Sequence, residues 1–130
     1  MILEKCPFTL AICRFGANEP IEPWALKGSF FSITRTEEEL SIICEQNRVP
    51  QTALVTKNWK ALRIRGPLDF GLVGVLNRLL TPLSHHGISI ISISTYDTDY
   101  VLIQESCFTK AIQVLTQNGY SVNECSPGPS

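Results

Sequence analysis

Two aspartates, Asp97 and Asp99, stand one residue apart in the stretch ISTYDTDYVLI, residues 93–103, between two apolar runs. Carboxylates at that spacing can share a hard cation, work as a catalytic pair, or hold the ammonium group of a ligand. A bare metal site needs more oxygen ligands, and the nearest further acid, Glu105, lies a strand length away. Turn chemistry also accounts for the segment, because aspartate and threonine are favoured where two strands reverse. A tight hairpin uses only two such residues, however. Thr95, Tyr96, Asp97, Thr98 and Asp99 give five polar-capable positions in a row. A plain turn and one wall of a ligand pocket both remain open.

A second candidate is RGPLDFGLVG, residues 65–74. Gly66 and Pro67 lead from a strand into a helix for which Asp69 is placed as N-cap. The first-turn N–H groups of such a helix, at the positive end of its dipole, can receive a carboxylate or phosphate. Gly71 and Gly74 would allow a ligand or another backbone to approach closely. No lysine follows in the G-x-x-x-x-G-K-[ST] pattern, which argues against a nucleoside triphosphate. His85 and His86 are adjacent on a helix and so point apart, which makes joint ligation awkward; a solvent-facing pair is expected. No G-x-S-x-G elbow occurs, and no cysteine has a histidine at a recognisable spacing. No cofactor or metal is expected.

The elements that must position these residues follow from periodicity. Strands are expected at FTLAICRF (8–15), SFFSITRT, QTALVT, WKALRIRG, ISIISIST, DYVLIQ and YSVNEC, with at most a short helical turn around Trp24. TEEELSIICEQN reads as a helix with Thr36 as N-cap and Glu39 completing a capping box. PLDFGLVGVLNRLLTPLSHHG reads as the strongest helix, with Leu72, Val75, Leu76, Leu79 and Leu83 at helical spacing, Pro82 near its end and Gly87 closing it. ESCFTKAIQVLTQNG is the last helix. From about residue 60 to 125 the order is β-α-β-β-α-β, the ferredoxin-like split arrangement. The first half shows a weak internal repeat of the same theme, seen by setting FFSITRTEEELSIICEQNRV beside DYVLIQESCFTKAIQVLTQNGY. The expected fold class is α+β, with two ferredoxin-like βαββαβ units packed through paired antiparallel sheets. Residues 1–58 form a degenerate first unit, 59–125 a complete second one, and 126–130 (SPGPS) a flexible tail.

Bulk properties narrow the function. The 130 residues carry 11 basic and 12 acidic side chains, a formal net charge of -1. That is poor material for a phosphate backbone, so nucleic acid is not an expected partner. The nearest basic cluster, Lys57, Lys60, Arg63 and Arg65, reads as a solvated strand face. No segment has the apolar length to span a bilayer, and MILEKCPFTLAIC lacks the features of a signal peptide. Five cysteines, at 6, 13, 44, 107 and 125, contain no C-x-x-C pair and are odd in number. Small buried hydrophobes in a reducing cytoplasm are the simplest reading. Trp24 and Trp59 are expected in the core or at a subunit interface.

With these motifs together, LRIRGPLDFGLVGVLNRLLTPLSHHGISIISISTYDTDYVLI and FFSITRTEEELSIIC resemble the ACT-domain family. The likeness is to small tandem ACT-like proteins related to the aspartate kinase regulatory region and to the cytosolic arginine sensors, and it covers about residues 5–124. A looser likeness of D-x-D to haloacid dehalogenase-like phosphatases is opposed by the 31 residues that follow Asp99, too few for such a core. The ACT resemblance implies a non-catalytic module that binds a small molecule, an amino acid by family habit, and that pairs as a homodimer. It places the binding residues at Pro67, Leu68, Asp69, Phe70 and Gly71 on one side and at Thr95, Tyr96, Asp97, Thr98 and Asp99 on the other. The alternative it leaves is a dimerising interaction module with a vestigial pocket.

Overall fold

A computed structural model of the chain describes residues 2–51, 54–65 and 74–125. In chain order the elements are β1 (Ile2–Phe15), β2 (Phe31–Arg35), β3 (Leu40–Glu45), β4 (Leu54–Arg65), α1 (Val75–His85), β5 (Ile90–Ser94), β6 (Asp99–Gln104), α2 (Glu105–Gln117) and β7 (Ser121–Glu124). Single turns of 3-10 helix lie at Pro23–Leu26 and Gln46–Arg48. The fold is α+β. Its residues group into two compact units, which change over between Pro7 and Phe8 and again between Trp59 and Lys60.

The C-terminal unit contains residues 2–7 and the described residues from Lys60 onward. Its strand order is β7-β1-β4-β6-β5. β5 and β6 form an antiparallel hairpin from Ile90↔Ile103 to Ser94↔Asp99. β7 runs parallel to the start of β1, from Ile2↔Ser121 to Lys5↔Glu124. The expected succession of strand, helix, two strands, helix and strand is present, with one addition. A self-contained unit of that kind pairs its first and last strands directly, whereas here the beginning of β1 lies between β4 and β7. The boundary placed after residue 58 therefore misassigns residues 2–7, whose Leu3 is fully buried in this core. Leu62, Ile64, Val101 and Ile103 from the strands meet Leu79 and Leu83 of α1 and Ala111, Val114 and Leu115 of α2. The helical spacing of these residues is what lets each helix bury one stripe.

Both helices close as expected. After α1, Gly87 takes φ 70° while the Gly87 and Ile88 amides donate to the Ser84 and Leu83 carbonyls. After α2, Gly119 takes φ 89° and the Tyr120 amide reaches Leu115. This left-handed exit satisfies carbonyls that the helix end would otherwise leave open. The start of α1 differs from expectation. Its N-cap is Gly74 at φ 125°, a conformation no right-handed helix continues through; Asp69, the expected cap, lies outside the described residues.

The N-terminal unit, Phe8–Trp59, orders its strands β2-β3-β1, both pairs antiparallel. Its core is Cys13, Ala25, Leu40, Ile42 and Cys44, with Phe15, Trp24, Ile33, Val49 and Val55 packed against it. The helix expected over TEEELSIICEQN is absent. In its place Thr36 to Glu39 turn the chain and Leu40–Glu45 returns as a strand. Leu40, Ile42 and Cys44 are buried while their neighbours are not, the period of a strand. The two segments compared as a repeat thus fold differently, one as the β2–β3 hairpin and the other as β6 followed by α2. QTALVT and WKALRIRG also differ: from Leu54 they form one strand, which passes through Asn58 at φ 69°.

Candidate functional site

The segment around the two aspartates is a tight hairpin. Ser94 pairs with Asp99, and the Thr95 amide donates to the Thr98 carbonyl at 2.8 Å. The Thr95 hydroxyl donates to the same carbonyl at 3.1 Å and accepts from the Thr98 amide at 3.2 Å. Tyr96 and Asp97 occupy the tip; the Tyr96 side chain is 97% exposed. Thr98 is the inward residue, buried, with its hydroxyl donating to the Ile64 carbonyl. That bond holds the hairpin against the end of β4, one residue before Arg65. Asp99 is half-buried at the start of β6, and among the described residues neither aspartate takes part in an ion pair.

The other half of the expected site follows directly on Arg65. Pro67, Leu68, Asp69, Phe70 and Gly71 lie outside the described residues, as do Leu72 and the tail at 126–130. The flanks of that segment are described. On one side the Arg65 guanidinium donates to the buried Glu4 carboxylate at 2.9 Å. Glu4 raises the Arg65 pKa through that hydrogen bond and its charge. On the other side is Gly74, the start of α1, with no side-chain cap and no acid in the first turn. The Arg78 amide donates to the Gly74 carbonyl at 2.8 Å. The first-turn amides of a helix, which lack intrahelical acceptors, favour an anion.

Glu4 was not found from the sequence. It sits in MILEKC, an apolar strand, and its partner is 61 residues away. A buried acid on a strand asks for a cation, but which cation depends on the pairing of β1, which local pattern does not show. His85 and His86 are exposed at the end of α1, where the His86 ring Nδ1 lies 2.9 Å from the Pro82 carbonyl. No group of three or more His, Cys, Asp or Glu side chains among the described residues is placed to hold a metal.

Residues 54–117, which include both flanks of this site, match the family model of the ACT domain. The chain belongs to the ACT-domain family. Residues 9–52 match a separate model for an N-terminal domain. A crystallised protein of Agobacterium tumefaciens is 34% identical, with a TM-score of 0.91 over 99% of this chain and 96% of the other. The human protein named cytosolic arginine sensor for mTORC1 subunit 1 is 32% identical over 107 residues, 76% of this chain and 32% of its own length. The chain thus spans about a third of the length of such curated relatives. The ligand-free regulatory subunit of aspartate kinase from Thermus thermophilus shares the fold, with a TM-score of 0.63 at 12% identity over 90% and 97% of the two chains. No helix among the described residues is long and apolar enough to cross a membrane.

Proposed function

We propose that this ACT-domain chain is a non-catalytic regulatory module that binds a free amino acid. The ligand lies between residues 67–71 and the hairpin 95–99, with its α-carboxylate toward the amides ahead of α1 and its α-ammonium toward Asp97 or Asp99. The observation that carries the reading is the Thr98 hydroxyl bond to Ile64. It ties the acidic hairpin to the strand end from which the 67–71 segment departs. The names of an arginine sensor and of a kinase regulatory subunit among the relatives support an amino-acid ligand and a regulatory role. In the same reading both units are ACT-like, the N-terminal one degenerate, with paired sheets, and the protein works as a cytoplasmic homodimer.

The test is a thermal melt of the protein against each of the twenty amino acids at millimolar concentration. A ligand present at about 100 times its Kd stabilises by ~2.7 kcal/mol, several degrees for a chain of this size. Asp97→Ala or Asp99→Ala removes the response. A flat panel sinks the amino-acid reading. The exposed Tyr96 at the hairpin tip favours the second reading, a dimerising or docking module without ligand. That reading predicts a partner in pull-downs that Tyr96→Ala releases.

A further inference from the structure

The N-terminal unit contains a cavity of about 280 Å³ that the amino-acid reading does not use. Phe15 at the end of β1 and Trp24 in the 3-10 turn form two of its walls, their rings 5.8 Å apart and tilted by 53°. Ile42 of β3 and Pro50 add apolar surface, and the Glu19 and Glu22 carboxylates lie on the loop between β1 and the 3-10 turn. No described ion pair includes either acid. The loop is held in place from below. Arg35 of β2 donates Nη1 to the Ala17 carbonyl and Nη2 to the Glu19 carbonyl at 2.7 Å. The Glu19 amide reaches back to Gly16 at 3.1 Å, and the Ala25 amide to Glu22 at 3.0 Å. Arg35 is the cation nearest the loop in these contacts, and its guanidinium is engaged by backbone carbonyls rather than by the two acids.

Aromatic faces attract a cation, most strongly when it is partly desolvated. Carboxylates supply charge-assisted hydrogen bonds to its N–H groups. A cavity just below the usual range for drug-sized ligands admits a small group. A loop already fixed by Arg35 loses little freedom when a ligand arrives. We propose that this cavity binds a small organic cation, an alkylammonium or alkylguanidinium group, its apolar body against Trp24 and Phe15 and its charge met by Glu19 and Glu22. The site lies wholly within Phe8–Trp59 and is independent of the amino-acid site.

The test uses the full chain labelled with nitrogen-15, in which the indole N–H signals of Trp24 and Trp59 report separately. It is titrated with n-butylammonium, n-butylguanidinium, the neutral pentanamide of similar length, and an acetylated, amidated Gly-Arg-Gly peptide. The expected result is a saturable shift of the Trp24 signal with both cations, none with pentanamide, and an unmoved Trp59 signal. The double variant Glu19→Gln/Glu22→Gln, at exposed positions, keeps the wild-type melting temperature and weakens cation binding at least tenfold. If the peptide binds more tightly than butylguanidinium, the site takes a basic side chain of a protein; if equally or less tightly, it takes a free amine or guanidine. A silent Trp24 signal, equal binding of pentanamide, or unchanged cation binding by the double variant overturns the proposal.

Discussion

Thr98 shows how much one hydroxyl can organise. Buried, and bonded to the Ile64 carbonyl, it fixes the hairpin that presents Asp97 at its exposed tip. Thr98→Val keeps the shape but leaves that carbonyl without its partner. It should cost about 1–2 kcal/mol, read as a lower urea midpoint at unchanged m-value. Cys6 supplies a pH dependence. Burial, with Cys125 second, pushes its thiol up from 9.0 to about 11. The folded state therefore favours the neutral thiol; its contribution is complete below pH 9 and is lost as pH rises through 11. The alkaline fall in melting temperature between pH 9 and 11 should accordingly be shallower, though not absent, in Cys6→Ala. At this scale the sequence was readable where neighbours in the chain are neighbours in space. Thr95 to Asp99, neighbours in the chain, close one tight hairpin with Tyr96 and Asp97 at its tip. The Glu4–Arg65 pair was not found, because its partners stand 61 positions apart in the chain.

Among the elements, the instructive one is the β2–β3 hairpin. Thr36 does what was expected of it locally, accepting the Glu38 and Glu39 amides at 3.1 Å each. The same bonds start a helix or close a turn, and the residues after them decide. Leu40, Ile42 and Cys44 alternate with partly exposed neighbours and pair along β1 from Phe15↔Leu40 to Leu10↔Glu45. Two β-branched isoleucines within LSIICE strengthen the strand choice. The Thr36 side-chain acceptor was therefore legible, but the capping box was not formed: the Thr36 amide donates to the Glu39 backbone carbonyl. The direction of the chain beyond depends on the strand waiting alongside. Thr36→Ala removes the acceptor for both amides and should cost about 1 kcal/mol in unfolding free energy. Hydrogen exchange should speed up in Phe31–Glu45, while α2 keeps its protection. The helices α1 and α2 were readable because a stripe of large apolar residues at helical spacing has no strand equivalent, and their glycine exits confirmed both ends. The described helix α1 begins at Gly74, φ 125°, and the Asp69 cap read from the sequence lies outside the described residues.

For the molecule as a whole, the informative strand is β1. Fourteen residues long, it gives its first part to one unit and its remainder to the other. Reading the sequence predicted that residues 59–125 would suffice for the second unit. Leu3, fully buried among Leu62, Ile64, Val101 and Leu115, argues otherwise. A fragment of residues 59–125 should give no cooperative melt, while residues 2–125 should melt as the full chain does. Restoring the first seven residues as a separate peptide should recover part of the transition. During synthesis the same arrangement sets a schedule. Residues 2–5 are made more than a hundred residues before their parallel partners, residues 121–124. Until then the edge of β1 that will meet β7 has no strand to pair with, and pairings over such a separation close slowly. The nascent chain thus carries an open β-edge for the whole interval between the two strands. That interval is when a chaperone, or a second nascent copy on the same message, has its best opportunity to bind.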